Sequence, residues 1–179
     1  MSEVLILHGV SEVLRQGEML LRALDDAAYR TRVPAAFNAS VGGHYRHCLD
    51  HFQSLLDALD ADEVNYDHRK RDARIETDRA FAIAETRRIF NACDWLPAEW
   101  LHRTIRVRSK VSYGDGEAPV MPSTLGREIM YAVAHAIHHY ALIGVMCGLL
   151  GVPLPAGFGV APSTLQHQAD EAKRQPALA

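Results

Sequence analysis

The sequence predicts an all-α fold, a four-helix bundle with a small β-hairpin inserted before the last long helix. Three observations carry that prediction. Apolar residues recur at three- and four-residue steps in four separate stretches. One short stretch alternates apolar and polar residues and ends on a glycine-rich turn. The connections between these stretches are charged or rich in proline and glycine. The 179 residues make one domain, with 1–165 as the bundle and 166–179 as a polar C-terminal tail.

The first helix runs from Val4 to about Leu24 on Leu5, Val10, Val13, Leu14, Leu20, Leu21 and Leu24. Between Asp25 and Ala39 the helical pattern should fail, because Val33-Pro34 and Asn38 interrupt it. Ser40 then caps a second helix, Val41 to Leu59, whose apolar stripe is Val41, Cys48, Leu49, Phe52, Leu55, Leu56 and Leu59. Gly42 and Gly43 weaken its first turn. Residues 60–76, with Arg69, Lys70, Arg71 and Arg74 among acids, read as an exposed crossover. A third helix follows a cap at Thr77 or Asp78 and ends near Cys93-Asp94, ahead of Pro97.

Alternation from Thr104 to Tyr113, the turn Gly114-Asp115-Gly116 and Val120-Met121 form the hairpin signal. Pro122-Ser123 opens the last long helix, which carries Leu125, Ile129, Val133, Ile137 and Ile143 and should end near Gly148 or Gly151. Residues 152–164 hold three prolines and read as a loop, and the polar segment 166–179 as a frayed end.

Composition narrows the class of function. A net charge of -3 and an isoelectric point near 6.3 leave no electrostatic footprint for nucleic acid or an anionic membrane. Cys48, Cys93 and Cys147 are far apart and form no CxxC pair, which fits a reducing, cytoplasmic setting. The N-terminus lacks the basic start of an export signal. The apolar region from Met130 to Val152 is broken by His135, His138 and His139 and reads as a buried helix, not a membrane span. The expected partner is a small-molecule substrate; a homodimer through an exposed helix face is compatible with a bundle.

The anomaly is histidine. Six of ten fall in two windows, His44/His47/His51 and His135/His138/His139. A four-residue step puts His135 and His139 about 40° apart around the helix and roughly 6 Å along it, so both rings can reach one ion. One more ligand from another helix would complete a set of three. Helix geometry leaves His47 and His51 both viable for that place, while His138 points away from His135 on the side opposite His139. Cys48, next to His47, should pack inward.

The segments SVGGHYRHCLDHF and STLGREIMYAVAHAIHHYALIG resemble the two histidine motifs of the DinB-like superfamily, bacterial four-helix bundles with a divalent metal on three histidines. The resemblance extends to the helix order, the charged crossover, the hairpin and the tail FGVAPSTL. It implies His47, His135 and His139 as the metal ligands, and leaves His44, His51 and His138 as additions to the family pattern. Members include bacillithiol S-transferases, mycothiol-dependent maleylpyruvate isomerase and metal-dependent hydrolases, so the resemblance implies a metal-dependent enzyme without selecting its reaction.

Three neutral imidazoles leave a dication's charge intact, whether zinc, nickel, iron or manganese. Such an ion activates water for hydrolysis, or a low-molecular-weight thiol for S-transfer. Glu128, seven residues before His135, is the candidate catalytic carboxylate, as proton acceptor or as the orienting partner of a ligand. Tyr131 shares the stripe of His135 but at that spacing reads as packing. Arg46, Arg127 and the basic run from Arg69 to Arg74 are candidates for receiving an anionic substrate. The competing reading is a non-catalytic metal-binding or helical interaction protein.

Overall fold

The computed structural model describes residues 2–174. Most of them are helical, with two small sheets. Four helices are long: α1 (Ser2–Ala23), α3 (Val41–Ala61), α5 (Arg79–Asp94) and α6 (Leu125–Leu149). The short elements are α2 (Asp26–Arg30), β1 (Arg32–Val33), β2 (Ala39–Ser40), β3 (Glu63–Asn65), α4 (Ala73–Thr77), β4 (Thr104–Arg108), β5 (Val120–Thr124) and α7 (Pro162–Arg174). Helix α3 packs on α6 and α5, and α1 packs on α5 and α6. Between them lies one apolar core that includes Leu14, Leu20, Leu21, Leu49, Phe52, Ile89, Ile129 and Ile143.

Close approach in this core depends on two glycines. A Cβ at Gly17 of α1 would sit 2.3 Å from the Tyr140 hydroxyl and 2.6 Å from that of Tyr45, so only glycine admits this pair of rings beneath α1. A Cβ at Gly42 would lie 2.1 Å from the Glu76 carbonyl oxygen, where α4 crosses the start of α3. The buried phenols are paired: Tyr45 shares a 2.7 Å hydrogen bond with Thr86, and Tyr140 donates to the Val13 carbonyl at 3.2 Å.

Several expectations change. The crossover is not simply exposed chain: Val64, Tyr66 and Ile75 are buried, β3 lies parallel to β4, and α4 packs on α3. The alternation Glu63-Val64-Asn65-Tyr66 turns one side of the strand to the core, and the surrounding charges mask it. The strand predicted from Thr104 to Tyr113 stops at Arg108, leaving Val111 and Tyr113 exposed; β4 pairs antiparallel with β5, Thr104 opposite Thr124.

Pro122 and Ser123 belong to β5, and the cap of α6 is Thr124, whose hydroxyl accepts from the Arg127 amide. Residues 25–39 are also more regular than expected, folding as α2 and the small β1–β2 pair. The tail contains α7, a helix with no buried residue and with the i,i+4 pairs Gln166–Asp170 and His167–Glu171 along it. Residues 175–179 of the expected frayed end lie outside the described residues.

Candidate metal centre

Helix α3 starts at Ser40, whose hydroxyl accepts from the Gly43 amide, and presents His44, His47 and His51 at three- and four-residue steps. Helix α6 lies against it and presents His135 and His139 one turn apart. The interface between these two helices therefore gathers five imidazoles.

Ring centroids of His47 lie 4.9 Å from His135 and 4.6 Å from His139, and the latter two are 4.6 Å apart. One nitrogen from each of these three rings lies within 4.8 Å of the others. His47 Nε2 and His135 Nε2 are 2.8 Å apart, a separation at which one imidazole donates to the other or both face one cation. His44 Nδ1 lies 2.9 Å from His139 Nδ1, so His44 holds the ring of His139 from outside the group of three.

The environment keeps these rings neutral. Burial, followed by the positive charge of Arg69, pushes the His47 pKa down to about 4. Burial and the neighbouring imidazoles push His139 down to about 3. His44 and His135 are lowered for the same first reason. Neutral imidazole is the metal-binding form, so no proton has to be displaced near pH 7.

His51 is different. It is 3% exposed, its ring centroid is 4.2 Å from His135 and 4.8 Å from His47, and neither nitrogen has a hydrogen-bond partner among the described residues. A buried imidazole so placed is costly unless something polar meets it. The donor set thus fits a divalent cation: three convergent neutral nitrogens, an outer histidine on one of them, and an unpartnered imidazole alongside.

The remaining candidates fall into place around this cluster. His138 is exposed, with its ring 5.4 Å from His139 and outside the group of three. Cys48 is buried, and burial raises its thiol pKa, which removes it as a ready nucleophile. Glu128 is 8% exposed; its Oε2 accepts from the Tyr66 hydroxyl at 2.9 Å and its Oε1 from Ser123 at 2.7 Å. Tyr66 in turn stacks on His51, centroids 4.9 Å apart, and Tyr131 stacks on His135 at 5.6 Å.

Arg46 is engaged by Asp50 and Glu76, each at 3.2 Å, and Arg127 is exposed. Arg69 is half-buried, with Nε 4.0 Å from Asp50 and Nη1 donating to the Tyr66 carbonyl. Tyr66 escaped the sequence reading because it sits inside the charged crossover. The period-two alternation from Glu63 was the available signal.

A protein described as FK506-binding protein 5 from Rhizopus delemar is similar to this chain, 36% identical over 104 residues. The match covers 58% of this chain and 27% of that protein, so the chain spans about a quarter of the length of the curated relative it matches. No solved structure matches. The profile of the DinB superfamily matches residues 11–143, a span that holds all of the clustered histidines. With that match and the convergence of His47, His135 and His139 on one point, the chain belongs to the DinB superfamily.

Proposed function

We propose that this protein is a metal-dependent enzyme acting on a small molecule, with His47, His135 and His139 holding a divalent cation. The observation that carries the reading is the set of three imidazoles from two helices, with nitrogens within 4.8 Å of one another. When bound, such a cation lowers the pKa of water or a thiol in its open position and so supplies a nucleophile for hydrolysis or S-transfer. The ion identity, among zinc, nickel, iron and manganese, follows supply and geometry.

The chain's own residues prepare the site. His44 fixes the ring of His139, and Tyr131 packs on His135. Both carboxylate oxygens of Glu128 are engaged, so its role in this reading is positioning: it holds the Tyr66 phenol, whose ring backs His51. Burial, reinforced by the positive charge of Arg69, keeps the His47 imidazole deprotonated. In this reading the four long helices are the DinB-type four-helix bundle, β4 and β5 its inserted hairpin, and residues 1–165 the domain. In this reading the protein is cytoplasmic and has no nucleic-acid or membrane partner, and a homodimer through an exposed helix face is compatible with it.

Elemental analysis of untagged protein tests the reading. At least about half an equivalent of divalent metal is expected after reconstitution, and less than about a tenth would defeat it. His135→Ala is expected to lose the metal while its far-UV circular dichroism stays helical.

A further inference from the structure

A cavity of about 410 Å³ opens over His44, His47 and His139, and its other lining includes Arg32, Phe37 and Arg46. That volume suits a small ligand. Arg32, on β1, donates through Nη1 to the Asn38 carbonyl at 3.0 Å and makes no ion pair among the described residues. Arg46, the second guanidinium, is already matched by Asp50 and Glu76. Glu76 supplies the lining's carboxylate, so one guanidinium charge is left for an incoming anion.

Phe37 adds an apolar surface to the same rim. It is 98% exposed, and both it and Asn38 are held in the left-handed region, at φ 56° and 57°. Each such residue costs on the order of 1 kcal/mol. No core contact offsets that cost at Phe37, because the turn lifts the ring away from the core. The β1–β2 pair, Arg32 opposite Ser40 and Val33 opposite Ala39, anchors this turn beside the first two turns of α3, which carry His44 and His47.

We propose that Arg32 and Phe37 are the specificity-determining edge of the site, and that the substrate is a small carboxylate with an apolar, ring-sized body. Arg32 pairs with the carboxylate and Phe37 covers the body. The reacting end then faces His47 and His139, a last clause that rests on the metal reading above. A monoanion fits better than a phosphate dianion, since a single unmatched guanidinium faces the cavity and the Glu76 carboxylate repels additional negative charge.

Calorimetric titration of the full chain, metal-free and zinc-loaded, with phenylacetate, acetate, phenylacetamide and phenyl phosphate tests this. Phenylacetate is expected to bind at least about ten-fold more tightly than acetate or phenylacetamide. Arg32→Gln should weaken phenylacetate about ten-fold and leave phenylacetamide unchanged, and Arg32→Lys should fall between. Phe37→Ala should erase the preference over acetate. All three variants should keep wild-type metal content and melting temperature.

Equal binding of phenylacetate and acetate, an unaffected Arg32→Gln, or tighter binding of phenyl phosphate would overturn the proposal. Metal content measured on the same samples separates the two ideas. Discrimination among probes without bound metal leaves this edge standing and sinks the metal reading; bound metal without discrimination does the reverse.

Discussion

At the scale of single residues, His51 sets the sharpest test. Its two nitrogens are buried without a partner among the described residues, whereas His47 and His135 meet at 2.8 Å. Replacing an unpartnered polar ring with an apolar side chain removes a desolvation cost. His51→Leu is therefore expected to leave the melting temperature of metal-free protein unchanged or higher, while His47→Ala abolishes metal binding. Thermal scans and metal titration check both outcomes, and a drop of more than about 5 °C in His51→Leu would mean that the imidazole is partnered.

The three-histidine geometry was partly legible in the chain. The four-residue step of His135 and His139 already placed both rings on one face, but spacing left His47 and His51 equivalent. Their burial distinguishes them: His51 lies deeper, backed by Tyr66, while His47 also lines the open cavity.

At the scale of elements, the crossing of α3 and α4 places Arg46 beside Glu76 and depends on Gly42. The atom that a Gly42 Cβ would meet is a backbone carbonyl, which cannot rotate aside. Gly42→Ala should destabilise the protein by about 1–3 kcal/mol in urea unfolding. Gly43→Ala is the control: its Cβ would lie 3.3 Å from the Ser40 hydroxyl, a contact that a small side-chain adjustment relieves. Helix propensity alone favours alanine at both positions, so a similar loss in both variants would show that the crossing at Gly42 is not responsible.

The long helices announced themselves through apolar periodicity, because each buries one continuous stripe. Strand β3 and helix α4 did not, since each is short, lies in a charged stretch of chain and buries only one apolar residue, Val64 and Ile75. The α6 start was displaced for a related reason. Ser123 looks like a cap, but its hydroxyl is committed to Glu128, and Thr124 supplies the capping oxygen instead.

At the scale of the whole molecule, pH dependence follows from the buried imidazoles. His47 and His139 titrate near 4 and 3 in the folded chain, below the usual value of about 6.5 that they regain on unfolding. Between about pH 6.5 and 4 the unfolded chain takes up protons that the folded chain does not, so stability rises with pH across that window. The melting temperature of metal-free protein is expected to fall from pH 7 to 5.5, and less steeply in a His47→Ala/His139→Ala variant. A flat profile would contradict the burial.

Helix α6 is long and apolar enough to cross a membrane by length and composition alone. In the fold, its Ile129, Ala132, Ala136, Tyr140 and Ile143 face the core against α1 and α3. Helix α7, by contrast, buries none of its residues and is expected to be dispensable for the fold. Truncation after Ala161 should shift the melting temperature by no more than about 2 °C and leave metal content intact.

The amino-acid sequence by itself determined the helical class, the placement of the long helices and the pairing of His135 with His139, because periodicity and spacing are local properties of a helix. The resemblance of its histidine motifs to the family already implied His47 as the partner of that pair. Only the tertiary structure decided that His51 lies buried beside them, that Tyr66 and Glu128 stand behind the cluster, and that Arg32 and Phe37 rim its cavity. Those relations join residues far apart in the chain, and they depend on how deeply α3 seats against α6, which the packing of side chains sets.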